Sequence, residues 1–331
     1  MVLSPMATGN GAYIVHKTLE SKIDEYRVVP YNPYRTLFPP SLLFHRFGSK
    51  TRLVHTTPDY GIFHKRRNIP LILTFHNYVL DPFMQKYSNL LQNIHYRTDL
   101  KLLTQLAVSN AQAITAVSHF TADLAKRDLR LNHPITVIHN GVDHNLFRPL
   151  KSVKYHPTKT IKVLFCGNLT RRKGAQWLIP IVEKLDKNIS IAYTAGLRTH
   201  DSLPRHPQLE CLGAIPHHSM PSVYQSADIL LFPTVREGFG LAVAEAMACG
   251  LPVVATNCSS LPELIDDGKG GFLCPLGDIE SFAEKICFLA ENYQQRRDMG
   301  AYNREKVEKM FTIEHMVSQY VELFERTLAR Y

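Results

Sequence analysis

Phe232-Pro233-Thr234-Val235-Arg236-Glu237-Gly238-Phe239-Gly240-Leu241-Ala242-Val243-Ala244-Glu245-Ala246-Met247-Ala248-Cys249-Gly250-Leu251-Pro252-Val253-Val254-Ala255 is the stretch whose reading decides the fold. The apolar run Ile229 to Phe232 ends at Pro233, a glycine-rich turn follows, an alanine-rich helix closes at Gly250, and a short β-branched run comes next. The order is strand, loop, helix, strand, the unit of a parallel sheet covered by helices. The glycines of the turn let a ligand approach the main chain, and the first amides of the helix have no partner within it. Such a helix start attracts phosphate. Glu237 and Glu245 bracket it, eight residues and so at most about 12 Å apart along a helical rise. That span suits a ligand with a diphosphate in the middle and hydroxyl-bearing sugars at both ends. An ordinary joint is the competing reading, because glutamate at a helix start complements the dipole and a Gly-x-Gly turn can simply join strand to helix. The flanking sequence has to decide.

A chain of 331 residues fits two domains of ordinary size. No run of eighteen apolar residues occurs, and Met1-Val2-Leu3-Ser4-Pro5 has no basic region leading into an apolar core, so neither a membrane span nor a secretory signal is expected and a cytoplasmic protein is. The six cysteines, Cys166, Cys211, Cys249, Cys258, Cys274 and Cys287, form no Cys-x-x-Cys pair and sit in or beside apolar segments, which reads as buried thiols. Charge is uneven: residues 1–150 hold 17 Lys and Arg against 9 Asp and Glu, out of 38 against 29 in the whole chain. A basic first half favours an anionic partner such as an acidic membrane surface, with a merely solvated basic face as the plain alternative. No nucleic-acid-binding signature accompanies the charge, so nucleic acid is not expected as a partner.

In the first half, Val2-Leu3 reads as the end of a very short strand, an expectation that the natural chain starts earlier. It leads into Ala7-Thr8-Gly9-Asn10-Gly11-Ala12 and a helix from Tyr13. The dinucleotide fingerprint needs a third glycine where Ile14 stands, which argues against a dehydrogenase. Strand-like and helical segments then alternate: Tyr26 to Pro30, Arg52 to Thr57, Leu71 to His76, a helix Asp99 to Ser109, Ala113 to Val117, a helix Ser118 to Leu129 capped by Ser118, and Thr136 to His139. His76 falls at the carboxyl end of its strand, where such sheets bind ligands. The polar, proline-containing Leu150 to Thr160 is the expected linker. It divides a domain of residues 1–150 from one of 151–310, with 311–331 as a final helix.

The pattern then restarts. Strand Ile161 to Cys166 runs into Gly167-Asn168-Leu169-Thr170-Arg171-Arg172-Lys173-Gly174, where three cations on a strand-to-helix turn suit phosphate, an exposed basic loop being the alternative. Helix Ala175 to Leu185, strand Ile189 to Ala195 and a strand end at Leu212 to Pro216 follow. His217-His218 lack metal-ligand spacing. Ser259 to Ile265 reads as a capped short helix, Gly271 to Cys274 as a last strand, Asp278 to Met310 as one amphipathic helix, and Thr312 to Tyr331 as another.

Taken in order, Gly9-Asn10-Gly11, Thr74-Phe75-His76, Ala116-Val117-Ser118, Asn140-Gly141-Val142-Asp143, the Gly167 to Gly174 loop, Ala227-Asp228, Glu237 to Glu245, Gly250-Leu251-Pro252-Val253-Val254 and Gly271-Phe272-Leu273 resemble the family-4 retaining glycosyltransferases. The resemblance implies the α/β GT-B fold: two Rossmann-like, doubly wound domains facing across a cleft, an acceptor-binding first and a donor-binding second, with the last helix returning to the first. It implies transfer of a sugar from a UDP- or GDP-sugar donor to a glycan or lipid-linked acceptor, as in cell-surface polysaccharide or lipopolysaccharide synthesis, at the inner membrane face and without metal ion or cofactor. His76, Lys173 and Glu237 would serve the chemistry, His76 contacting the donor sugar near its reacting face, Glu237 sitting beside the transferred sugar and Lys173 neutralising the leaving diphosphate. Glu245 would bind the ribose and the amides of Phe239, Gly240 and Leu241 would hold the diphosphate, with Asn168, Arg172, Lys173 and Gly238 also on the donor and Arg171 or Arg172 supplying the charge that Asn168 lacks. Gly11 would lie by the phosphates and Ile215 near the base. Two positions depart from the family pattern: Asn168 stands where most relatives carry arginine, and Asn10 separates glycines that are often adjacent. A non-transferase enzyme of the same fold, such as a sugar-nucleotide epimerase, and a binding protein with impaired chemistry are the competing classes.

Overall fold

The computed structural model describes residues 1–44, 47–88, 90–150, 160–195 and 203–331. The chain packs as two units: Met1–Gly141 with Ile313–Tyr331, and Val142–Thr312. The expected linker lies almost wholly outside the described residues.

The first unit is built from β1 (Val2–Ala7), α1 (Gly11–Lys22), β2 (Tyr26–Tyr31), β3 (Leu53–Thr56) and β4 (Leu71–Phe75). It continues through α2 (Leu90–His95), α3 (Lys101–Ser109), β5 (Ala113–Ala116), α4 (His119–Leu129) and β6 (Thr136–Val137). Its six strands are ordered β2-β1-β3-β4-β5-β6, and every pairing is parallel. Leu71, Leu73 and Phe75 alternate into one apolar core with Val54, Ile114 and Ala116, as strands covered by helices require.

β1 corrects the expectation of a two-residue strand end. It spans six residues and is paired on both sides, between β2 and β3, although Pro5 lies within it. Proline is tolerated because the β1/β3 ladder runs only from Val2↔Leu53 to Leu3↔Val54, so no partner amide is missed at position 5. The Thr56 hydroxyl donates to the Pro5 carbonyl at 2.7 Å, replacing the ladder there.

The second unit contains β7 (Ile161–Phe165), α5 (Leu178–Val182), β8 (Ile189–Tyr193), β9 (Leu209–Cys211), α6 (Met220–Gln225) and β10 (Ile229–Phe232). After these come α7 (Leu241–Ala248), β11 (Val253–Thr256), α8 (Leu261–Leu264), β12 (Gly271–Cys274), α9 (Ile279–Glu291) and α10 (Tyr293–Met310). The strand order is β12-β11-β10-β7-β8-β9, again all parallel. β10 and β7 therefore sit side by side at the centre and deliver their carboxyl-end loops, 233–240 and 166–174, to the same edge.

Several boundaries differ from those read off the sequence. Residues 142–150 pack with the second unit: the Val142 amide donates to Phe311 O, and Arg304 donates to the carbonyls of His144 and Phe147. The expected helix from Asp278 to Met310 is two helices broken at Asn292, which caps the first and precedes the second. Strand β9 ends at Cys211, before the expected strand end at Leu212 to Pro216. Cys211 is exposed, against the expectation of buried thiols, while Cys249 and Cys274 are buried. The last helix, α11 (Ile313–Ala329), belongs to the first unit, where Tyr320 reaches Thr74 and Phe324 stacks on Tyr26. No described helix is long and apolar enough to cross a membrane.

Candidate active site

The site of the second unit begins with a turn that only glycine permits. Gly174 adopts φ +81°, and a Cβ there would fall 2.0 Å from the Pro233 carbonyl oxygen. This contact locks the end of the 166–174 loop against the end of β10. Val235 completes the lock, its amide donating to Arg172 O at 2.8 Å, with the Thr234 hydroxyl oxygen 3.1 Å from the same carbonyl. Lys173 is thereby aimed at the start of the neighbouring loop, and its Nζ lies 2.5 Å from Glu237 Oε1.

Glu237 is 8% exposed, and Thr234 Oγ1 also donates to its Oε1 at 2.9 Å. Burial pushes the Glu237 carboxyl up, but the charges of Lys173 and Arg172 and the hydrogen bonds from Lys173 and Thr234 outweigh it and hold the group below the usual carboxylate range. Asn168, in the family's usual arginine position, offers its carbonyl to the Thr170 amide at 2.8 Å, and Arg172 is one of the cations beside Glu237.

Beyond Glu237 the chain turns through Gly238 and Phe239 to Gly240, which takes φ +100° as the residue before α7. The first bonds of the helix come from the Val243 and Ala244 amides to Gly240 O. The amides of Leu241 and Ala242 have no acceptor among the described residues, the arrangement that attracts an anion. The loop is braced by two serines from beneath. Ser259, itself at φ +51°, accepts the Glu237 amide at 3.0 Å, and buried Ser260 donates to Phe239 O at 2.9 Å. Ser260 stands at the N-cap position of α8, as the sequence suggests, but its side chain makes no capping hydrogen bond there.

Eight residues on, Glu245 is held by two partners. His217 Nε2 lies 2.9 Å from Oε1, and the buried Tyr224 hydroxyl donates to Oε2 at 2.9 Å. The Glu245 hydrogen bond raises the His217 pKa against the pull of burial, and the ring packs on Phe147 with centroids 5.5 Å apart. Ile215 is half-buried two residues before His217. In the first unit, Gly11 opens α1 after its cap, Asn10, and a Cβ on it would meet nothing within 4 Å. His76 follows β4, and its Nε2 lies 3.0 Å from Nε2 of His16.

Of the residues singled out from sequence, the second unit thus brings Arg172, Lys173, Glu237 and the 238–241 turn together, with Glu245 along the same helix. Gly11 and His76 belong to the other unit. Thr234, Tyr224, His217, Ser259 and Ser260 were missed. Thr234-x-x-Glu237 has the spacing at which a hydroxyl and a carboxylate three residues apart meet, a signal that was present; the others are joined to the site only through tertiary contacts.

Residues 6–146 match the family model described as Glycosyltransferase Family 4, and residues 160–292 the model described as Glycosyl transferases group 1. N-acetyl-alpha-D-glucosaminyl L-malate synthase of Bacillus anthracis is 24% identical over 328 residues, 92% of this chain and 82% of that protein. D-inositol 3-phosphate glycosyltransferase of Paenarthrobacter aurescens is 31% identical over 215 residues, 59% of this chain and 50% of that protein, so the chain spans half its length. Among solved structures, sucrose-phosphate synthase from Thermosynechococcus elongatus matches with a TM-score of 0.85 at 19% identity, covering 100% of this chain and 99% of that one. HepE of Anabaena, solved in complex with UDP and glucose, gives 0.76 at 18% identity over 98% and 99%. With two parallel six-stranded sheets of the GT-B type and both of its halves matched by these models, the chain belongs to the family-4 glycosyltransferases.

Proposed function

We propose that this protein transfers a sugar, with retention of anomeric configuration, from a UDP- or GDP-sugar to a glycan or lipid-linked acceptor used in cell-surface polysaccharide or lipopolysaccharide synthesis. The observation that carries this reading is the Lys173–Glu237 pair set beside the unpaired start of α7, with Glu245 eight residues along the same segment. A diphosphate fits the amides and the lysine, and two hydroxyl-bearing ends fit the two carboxylates. The UDP complex of HepE supports the same class of donor.

In this reading the acceptor hydroxyl attacks the anomeric carbon on the face from which the diphosphate departs. The new C–O bond forms as the bond to the diphosphate breaks, and the acceptor proton passes to the departing oxygen. Negative charge grows on the diphosphate, and Lys173 with the α7 amides stabilises it there, the role otherwise given to a metal ion. Ionised Glu237 orients a hydroxyl of the transferred sugar and holds Lys173 in place, while Glu245 accepts from the ribose.

The lipid-linked acceptor draws support from the first unit's surface. Tyr34, Leu37, Phe38, Leu43 and Phe44 are exposed, as are Leu90, Leu91, Ile94, Leu102 and Leu106 along the 90–109 helical segment. With 17 Lys and Arg against 9 Asp and Glu in residues 1–150, such a surface suits the anionic face of a membrane. Flotation with acidic liposomes at low salt is expected to carry the protein upward; absence from the lipid fraction removes this part of the reading.

A thermal-shift panel of UDP- and GDP-sugars tests the donor, because a ligand of the native state raises the melting temperature. One base and a narrow set of sugars should raise it. Product analysis with donor alone then separates a transferase from an epimerase, whose product forms without acceptor. No shift with any nucleotide sugar, and no nucleoside diphosphate released with acceptors present, overturns the proposal.

A further inference from the structure

The first unit carries a buried polar row that packing does not explain. Five adjacent strands each contribute one polar side chain: Tyr26 from β2, Ser4 from β1, His55 from β3, Thr74 from β4 and Thr115 from β5. All five are 0% exposed, as is His16 of α1. Buried polar groups are costly unless paired, and these are paired in a continuous chain. Thr74 Oγ1 meets Thr115 Oγ1 at 2.6 Å and His55 Nε2 at 2.7 Å. His55 Nδ1 meets the Tyr26 hydroxyl at 2.8 Å, which in turn meets His16 Nδ1 at 2.7 Å. Ser4 Oγ also lies 2.7 Å from His16 Nδ1, and His16 Nε2 closes the chain on His76 Nε2 at 3.0 Å.

Counting protons gives the chain a direction. Burial, with the neighbouring imidazoles, lowers the pKa of His16 and His55 well below the ordinary histidine value, and burial takes that of His76 down to about 3. All three rings are therefore neutral near pH 7, each with one N–H and one bare nitrogen. His16 Nδ1 faces two hydroxyl oxygens. As an N–H it can donate to both at once; as a bare nitrogen it can accept from Ser4 while Tyr26 donates to His55, so the His16–His76 end of the chain decides. With Nδ1–H on His16, its Nε2 is an acceptor, so His76 must supply the proton between the rings from Nε2. His76 Nδ1 is then bare. It is covered and has no partner among the described residues, and a buried N–H without an acceptor is the rarer and costlier of the two orphans. The Tyr26 proton is free to go to His55 Nδ1, His55 Nε2–H donates to Thr74, and the chain is complete.

We propose that Ser4, His16, Tyr26, His55 and Thr74 form a buried relay that fixes His76 as the Nε2–H tautomer, leaving Nδ1 as its one remaining hydrogen-bonding atom, an acceptor for a hydroxyl of the bound sugar. The first part concerns the protein alone. The second rests on the reading of His76 as a donor-sugar contact. Because Nδ1 is covered in the free chain, engaging it requires the groups over it to shift. The relay members are positioning residues, acting on the ligand only through His76.

The test is long-range 1H–15N correlation on full-length protein labelled with 15N-histidine, with His16→Gln, His55→Gln and His76→Gln used to assign the rings. The ligand-free protein is expected to show Nε2–H on His76, Nδ1–H on His16 and Nε2–H on His55. His16→Leu removes the acceptor and should turn His76 into a tautomer mixture, whereas His16→Gln, whose amide oxygen can still accept, should keep Nε2–H. Should His16→Leu fail to fold, Ser4→Ala combined with Tyr26→Phe removes both oxygens facing His16 Nδ1 and is expected to move His76 toward Nδ1–H. An Nδ1–H tautomer on wild-type His76, or a His76 tautomer indifferent to both changes, overturns the relay. These spectra need no turnover, so a protein inactive on every nucleotide sugar contradicts the proposed function and leaves the relay result standing. Where transfer is measured, His16→Leu should lower kcat roughly tenfold with little change in KM for the donor, and His16→Gln should restore most of it.

Discussion

Lys173 Nζ and Glu237 Oε1, 64 positions apart in sequence, lie 2.5 Å apart at the carboxyl edge of the second sheet. The adjacency of β7 and β10 brings their loops together, and the Gly174 contact with Pro233 sets the angle. Each group limits the other: the lysine keeps the buried carboxylate ionised, and the carboxylate holds the lysine in place; in the proposed function a diphosphate competes for that lysine.

Lys173→Ala is expected to lower kcat by roughly 100- to 1,000-fold, the cost of losing one preorganised group that stabilises developing charge. Saturating donor should not rescue the rate. Steady-state assays with varied donor check this, and unchanged turnover removes Lys173 from the chemistry.

Glu237 gives a pH signature of stability. Its folded-state pKa lies below the ordinary 4.5, so its ionisation stabilises the fold fully above that value, and the contribution is lost as pH falls through the lowered one. Wild type is therefore expected to be more stable than Glu237→Gln at pH 7, with the gap closing below about pH 4.5. Denaturant midpoints at the two pH values measure it; a gap that does not depend on pH contradicts the assignment.

His217 works in the opposite sense. Its raised pKa makes the charged form favourable in the fold, an effect complete below the ordinary 6.5 and lost as pH rises through the raised value. If Glu245 binds the ribose as proposed, charged His217 competes with the ribose hydroxyls for it, so affinity for a UDP-sugar, whose diphosphate diester does not titrate in this range, should weaken as pH falls toward 6. His217→Ala is expected to flatten that dependence. Calorimetry across pH 6 to 8 decides, and an equal slope in both proteins rules the competition out.

Gly174→Ala places a Cβ on the Pro233 carbonyl in a left-handed backbone. It should cost more than about 1 kcal/mol, read as a lower melting temperature. Full stability there contradicts the described loop contact.

The alternation of short apolar strands with helices was legible because it is local: β4, β5, β10 and β11 are uninterrupted apolar or β-branched runs, and β7 is broken only by Lys162. Pro5 concealed β1, since a proline argues against a central strand unless the neighbouring ladder stops short of it, and that depends on β3. Glu237, Lys173 and Glu245 could be singled out because the turn and helix that carry them are contiguous in sequence or follow a strand directly. His16, His55 and Tyr26 could not, because the strand order β2-β1-β3-β4 brings them together and no spacing in the chain encodes it. Ser259 and Ser260 looked like a helix cap by composition; the loop packed above them takes their hydrogen bonds instead.

The central claim is that the α7 segment binds a nucleotide sugar, with Glu245 on the ribose. Calorimetric titration of the UDP- or GDP-sugar that stabilises the wild type into wild type and Glu245→Ala tests it most directly. The account predicts saturable binding to wild type and an affinity at least tenfold weaker in the variant, about 1.4 kcal/mol, with its fold intact. Equal affinity in the two proteins would contradict it.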